Sequence, residues 1–99
     1  MFNLNKNFEK IIDFMEFTKF TQVQYEKAAN KEIKHKEMID YFITDDSIKI
    51  DCNRMCVAFT KYEVSFIKQI CNALVITLKN RDKIILYSGD DKAEVMHLT

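Results

Sequence analysis

The sequence has one glycine, no proline and no tryptophan in 99 residues. A single glycine cannot build a glycine-rich phosphate loop, so the nucleotide-binding classes that depend on such a loop are excluded. Net charge is absent as well, because fifteen basic and fifteen acidic side chains cancel. Without a net field to attract phosphate groups, the composition argues against nucleic acid or an anionic membrane as the partner.

Long apolar runs are also missing. No stretch approaches the roughly 18–20 apolar residues that a membrane span needs, and the first ten residues are too polar for a signal peptide. We therefore expect a cytoplasmic protein with no membrane partner. The three cysteines are then expected to be reduced thiols, not a disulfide framework.

The remaining composition is that of a folded domain. Apolar residues make up 47% and charged residues 30% of the chain, which is enough for one modest core, so we predict a single domain spanning residues 1–99. Thirteen lysines, twelve isoleucines and seven asparagines stand against two arginines. This bias is typical of A/T-rich coding DNA, as in many low-GC bacteria and their viruses.

The stretch SIKIDCNRMCVAFT (47–60) alternates apolar and polar residues on both sides of Asn53-Arg54, which predicts a β-hairpin. A loop at these two residues pairs Cys52 with Met55 and Asp51 with Cys56. A two-residue loop favours glycine at the second position, where φ is positive, so a four-residue loop of the same register is the alternative. In either loop the two thiols lie on opposite faces, which excludes a disulfide or a shared metal ion between them.

The rest of the second half is predicted as a central helix followed by three antiparallel strands. Thr60 and Glu63 have the spacing of a capping box, and apolar residues then recur at helical spacing, which indicates a helix over 61–72. The segment ALVITLKNRDKIILYSGDDKAEVMHLT (73–99) has strand composition with turns near 80–82 and 89–91. A loop at 80–82 would pair Leu78 with Ile84, and a last strand is expected near 94–98.

The N-terminal half is predicted to be mainly helical over residues 1–42. One helical stripe contains Phe8, Ile11, Ile12 and Met15. Further phenylalanines lie around the rest of that helix, so either it is enclosed on several sides or the chain leaves the helix near Phe17. The segment YEKAANKEIKHKEM (25–38) consists largely of good helix formers, which favours a second helix over 22–42, although FTKFTQVQY (17–25) also has strand composition.

Read as a hairpin, a helix and three strands, residues 47–99 resemble the second half of a DNA sliding-clamp domain. The segment IDCNRMCVAFT (50–60) precedes the helix, and ALVITLKNRDKIILYSGDDKAEVMHL (73–98) follows it, in the order that such domains use. The resemblance is one of topology and apolar pattern over about half of the chain. It implies helices that face DNA and strands that form a ring.

No set of side chains has the spacing of a catalytic, cofactor or metal site, so we predict a non-enzymatic α+β protein without a cofactor. Its aromatic and aliphatic residues exceed what one core of this size can hide, which predicts an interface with another protein or a second copy of the chain. The expected interface residues are Phe14, Phe17, Phe20, Ile85 and Tyr87. A viral or phage accessory or inhibitor protein is the favoured context, and a DNA-associated clamp-like or regulatory protein is the alternative.

Overall fold

A computed structural model describes residues 4–88 of the chain, with side chains from residue 6 onward. Within that range one helix precedes seven strands. The elements are α1 (Leu4–Phe17), β1 (Gln22–Glu26), β2 (Ile33–Ile43), β3 (Ser47–Cys52), β4 (Met55–Thr60), a 3₁₀ turn (Lys61–Glu63), β5 (Val64–Ile70), β6 (Ala73–Leu78) and β7 (Lys83–Tyr87).

The strands form one antiparallel sheet in the order β4-β3-β2-β1-β7-β6-β5. Sequential hairpins make most of the pairs, and the pairing of β1 with β7 joins the two halves, with Gln22 opposite Tyr87 and Glu26 opposite Lys83. As a result, β4 and β5 are consecutive in the chain but lie at opposite ends of the strand order. In the part of the chain that the structure describes, each of these two strands has one neighbour.

β2 bends, and its two halves have different partners. Its first half pairs with β1 as far as Glu37, its second half pairs with β3 from Met38 onward, and the register shifts between Met38 and Asp40. Such a bulge adds one residue to a strand and bends it locally. The bulge at Ile39 thus lets a single strand turn the sheet around the core.

The main core lies between α1 and one face of the sheet. The helix contributes Phe8, Ile11, Phe14 and Met15, and the strands contribute alternate residues such as Ile48, Ile50, Val57, Ile76, Ile84 and Leu86. A second, smaller cluster on the opposite face of β6 and β7 consists of Ala73, Val75, Ile85 and Tyr87. The central strands are therefore buried on both faces, which is why their sequences are almost continuously apolar.

The predicted fold class is wrong in its central feature. Residues 61–72 form one 3₁₀ turn and then β5, and residues 22–42 form β1 and most of β2, so neither predicted helix exists. Glu63 does accept a hydrogen bond from the Thr60 backbone N–H at 2.9 Å, but the capped turn ends at once. The helix on which the sliding-clamp resemblance depended is thus a strand.

The N-terminal helix and the first hairpin are confirmed. α1 ends at Phe17, which settles the two alternatives for that segment. The hairpin has the two-residue loop and the predicted register, with Cys52 opposite Met55 and Asp51 opposite Cys56.

The second predicted hairpin has its register displaced by two residues, because Ile76 and not Leu78 lies opposite Ile84. A shift of two preserves the faces, so the predicted apolar face is still correct. The strand expected near 94–98 lies outside the described residues.

Because glycine is scarce, four tight turns between residues 4 and 88 have a non-glycine residue at positive φ. These residues are Lys31, Arg54, Cys71 and Arg81, with φ between 52° and 75°. A side chain in the left-handed region costs about 1–2 kcal/mol, which glycine avoids at an entropic cost of about 0.5–1 kcal/mol. Each of these turns therefore stores a small amount of backbone strain.

Arg54→Gly is expected to stabilise the fold by about 0.5–1 kcal/mol, because glycine relieves the strain at φ 63° in the β3–β4 loop. The free energy of unfolding, from urea titration, measures the effect. Asn53→Gly is the matched control, since Asn53 lies in the same loop without a positive φ. A gain from Asn53→Gly alone would contradict the expected turn geometry.

Asp82 joins two loops at one end of the sheet. Its carboxylate accepts hydrogen bonds from the Tyr25 hydroxyl at 2.7 Å and from the Ala28 backbone N–H at 2.9 Å. Burial acts to raise the pKa of Asp82, but these bonds and one from Asn80 outweigh it and hold the pKa below its usual value. Burial raises the pKa of Tyr25 to about 12, and the hydrogen bond to the Asp82 carboxylate adds to this effect. Tyr25 therefore stays protonated and remains a hydrogen-bond donor.

Asp82→Ala is expected to lower the free energy of unfolding by about 1–2 kcal/mol at neutral pH, because it removes the charged acceptor of the half-buried Tyr25 hydroxyl and of the Ala28 backbone N–H. A lowered folded-state pKa means that the carboxylate stabilises the fold above its ordinary pKa of about 4 and loses this effect as the pH falls further. The difference in the free energy of unfolding between the wild type and the variant should therefore become smaller as the pH falls from 5 to 3. Urea titrations across this range measure it. Asp45→Ala, at an exposed turn residue, should change stability by less than about 0.5 kcal/mol.

Candidate functional site

The five residues expected at an interface do not share one environment. Phe14, Phe20, Ile85 and Tyr87 are buried within the chain, each with at most 5% of its surface exposed, whereas Phe17 is 83% exposed. Phe14 and Phe20 pack near each other with ring centroids 6.5 Å apart. Of the predicted set, Phe17 alone therefore offers its side chain to a partner.

The position of Phe17 follows from the way α1 ends. It is the last helical residue, and the backbone N–H of Thr18 still donates to the carbonyl of Phe14 at 2.8 Å. The chain then turns so that Phe20 enters the core beside Tyr41, with ring centroids 5.8 Å apart. Because Phe14 and Phe20 anchor this turn on both sides, Phe17 is held outward on a rigid support.

Phe17 stands on the rim of a groove of about 480 Å³ between α1 and β5. The apolar lining comes from Phe14, Ile67 and Leu74, and the polar lining from Lys10, Asp13, Thr18 and Gln69. An apolar floor with a charged and polar rim is the usual anatomy of a protein-binding site. We call this feature the α1–β5 groove.

The strand side of the α1–β5 groove is an open sheet edge. Ile70 and Ala73 close the two-residue turn at Cys71-Asn72, so they form a hydrogen-bonded pair. From there, non-hydrogen-bonded and hydrogen-bonded pairs alternate along β5 and β6. The pairs Gln69–Leu74 and Ile67–Ile76 are consequently the non-hydrogen-bonded ones. The backbone N–H and C=O groups of Ile67 and Gln69 thus point away from β6, toward the side that has no neighbour within residues 4–88.

A second exposed aromatic lies on the other face of the same strand. Phe66 pairs with Thr77 on the face opposite to Ile67 and is 55% exposed. Lys68, two residues on, is also exposed on that face. The outer edge of β5 therefore has Phe17 on one side and Phe66 on the other, so two large apolar side chains lie beside backbone groups that no strand of the described part of the chain pairs with.

Sequence reasoning missed Phe66 and Ile67 as surface residues, because their spacing with Ile70 and Leu74 is helical. The signal that could have identified the strand is the turn at Cys71-Asn72, which divides two runs rich in Ile and Val. Lys10 and Asp13 could not have been assigned to a groove, since only the long-range pairing of the sheet brings α1 against β5.

Reactive groups elsewhere do not form a second cluster. Residues 4–88 contain no group of three or more His, Cys, Asp or Glu side chains placed to hold a metal ion. Burial raises the pKa of the Cys52 thiol to about 11, so it behaves as a core residue. His35 Nδ1 lies 2.9 Å from the Tyr87 hydroxyl, and burial raises the pKa of Tyr87. This histidine is therefore used in a structural contact across β1.

Within residues 4–88, no helix is both long enough and apolar enough to cross a membrane.

No family model, curated protein or solved structure matches this chain.

Truncation of Phe14 and of Phe17, two of the three phenylalanines in α1, should affect stability very differently. Phe14→Ala is expected to cost about 3–5 kcal/mol of unfolding free energy, because it leaves a cavity in the core. Phe17→Ala should change it by less than about 0.5 kcal/mol, because the ring is largely in solvent. Urea titration of both variants measures the difference. Equal losses would contradict the exposed position of Phe17.

Proposed function

We propose that this protein is a small non-enzymatic interaction module that binds another protein chain through the α1–β5 groove. The observation that carries the proposal is the 83% exposure of Phe17 on the rim of that groove. Leaving a phenylalanine in water forgoes about 1.5–3 kcal/mol of burial free energy. Aromatic side chains, phenylalanine among them, are enriched in protein interfaces relative to the rest of the surface.

The rim supplies the orientation that an apolar anchor lacks. Lys10 and Asp13 place opposite charges on the helix wall, while Gln69 provides an amide on the strand wall. Such polar groups contribute more to the choice and orientation of a partner than to affinity. A partner segment with an apolar side chain between polar neighbours would fit both parts of the groove.

The biological context that we propose is that of an accessory or inhibitor protein, of viral or phage origin, that docks on a host protein in the cytoplasm. Zero net charge and an amino-acid composition typical of A/T-rich coding DNA support this context. The DNA-associated alternative has lost the helix over 61–72 that would have faced DNA, since that segment is mostly β5. A steep loss of DNA retention with rising salt would be needed to reinstate it.

Phage-displayed random peptides test the proposal without a known partner. Peptides selected on the wild-type protein are synthesised, and their affinities are measured by fluorescence anisotropy. We expect Phe17→Glu to weaken binding about tenfold or more, equivalent to about 1.4 kcal/mol, because a charge replaces the anchor. Circular dichroism confirms that the variant is folded.

Ile39→Glu is the matched control, because Ile39 is 68% exposed on β2 and does not line the α1–β5 groove. Its affinity for the same peptides should stay within about twofold of wild type, since changes at surface sites away from an interface are small. Selected peptides that bind Phe17→Glu as well as wild type would overturn the proposal.

A further inference from the structure

We propose that a second copy of this chain occupies the α1–β5 groove by pairing its own β5 antiparallel to β5, with a two-fold axis through Ile67. This inference rests on the proposed function, since it names the occupant of the same groove. Its physical basis is the backbone N–H and C=O groups of Ile67 and Gln69, which point away from β6 and have no strand partner among residues 4–88. Open edges of this kind are templates for pairing with another strand.

The register follows from which backbone groups point outward. The backbone N–H and C=O groups that point away from β6 in one copy must face the same kind of groups in the other copy. In an antiparallel two-fold pairing this condition places the axis at Ile67, Lys68 or Gln69. An axis at Lys68 sets two lysines directly opposite each other, which destabilises a strand pair. An axis at Gln69 pushes the pairing beyond the strand into the Cys71-Asn72 turn. The axis at Ile67 has neither defect.

With the axis at Ile67, every opposed pair in the centre of the interface is compatible. Ile67 lies opposite Ile67 of the second copy, and Ser65 lies opposite Gln69. Phe66 of each copy lies opposite Lys68 of the other, and both of these pairs are of the closely spaced, non-hydrogen-bonded kind. An ammonium group over an aromatic ring is attractive. The strand is therefore complementary to itself in its side-chain contacts as well as in backbone hydrogen bonding, which is what a two-fold interface requires.

This arrangement also accounts for both exposed aromatics beside β5. Phe66 is covered on one face by the lysine of the second copy. On the other face, the two-fold axis brings the two α1–β5 grooves side by side, because Ile67 lines the groove together with Phe17. Both Phe17 rings then leave solvent. A bound strand at β5 thus buries apolar surface on both faces of the extended sheet.

The other open edge of the sheet is a weaker candidate. β4 offers the outward backbone of Cys56 and Ala58, but its exposed side chains there are small and give little apolar area. The space beside β4 is a cleft of about 280 Å³ whose lining also includes Lys27, Glu32 and Lys34 on or near the β1–β2 hairpin. That wall restricts the approach of a second sheet along β4.

A lysine introduced opposite Lys68 of the second copy tests the register. Phe66→Lys places lysines opposite each other twice, and we expect it to raise the dimer dissociation constant about tenfold or more, measured by sedimentation equilibrium. The double variant Phe66→Lys with Lys68→Glu replaces both repulsive pairs by attractive ones. Its dissociation constant should return to within about threefold of the wild-type value.

Phe42→Lys is the matched control, because it makes the same change at a residue 51% exposed on β2, and it should leave the dissociation constant unchanged. A wild-type protein that stays monomeric at all concentrations, an unaffected Phe66→Lys dimer, or a double variant that fails to recover would each overturn the inference. Peptide affinities measured at protein concentrations where the chain is monomeric depend on Phe17 and not on the β5 pairing, so failure of the dimer and failure of the groove as a binding site are distinguishable.

Discussion

The pairing of β1 with β7 is the contact on which the rest of the fold depends. It joins residues about sixty positions apart in the chain, and it unites two sets of local hairpins into one sheet. Contacts at such separation are slow to form and cost loop entropy, so local propensity alone does not produce them. Once β1 lies beside β7, the helix that precedes β1 is carried over the sheet toward β5. The groove between α1 and β5 is a direct result.

The same pairing decides which strands remain open. β4 and β5 are nearest neighbours in sequence, yet the 3₁₀ turn between them separates them to the two ends of the strand order. A meander that paired each strand with the next would have covered this edge of β5. The edge is therefore a consequence of topology, while the aromatic side chains around it are a property of the sequence.

Local patterns predicted the parts of the fold that local physics determines. The hairpin over 47–60 was predicted in register, because a two-residue loop and strict alternation agree there. β2 was predicted as helix, since most of its side chains are exposed and its lysines and glutamates are good helix formers. Neighbouring strands override that propensity. Of the residues in the candidate site, the sequence predicted Phe17. The prediction that Ile85 and Tyr87 lie at an interface differs from the structure, in which both are buried within the chain because β6 and β7 are covered on both faces.

Lys68 has two opposite effects on an exposed edge. A lysine on an edge strand normally prevents pairing with other chains, and the bulge near Ser65 shortens the flat part of β5 in the same way. Both devices act against most registers, since a shift of the axis to Lys68 sets like charges opposite each other. In the register centred on Ile67 the same lysine meets Phe66 instead, and the repulsion disappears. Selectivity of this kind needs one allowed arrangement and a penalty on its alternatives. The sequence of β5 supplies both within the three residues from Phe66 to Lys68, which is why an open edge with two exposed aromatics beside it need not lead to indiscriminate aggregation.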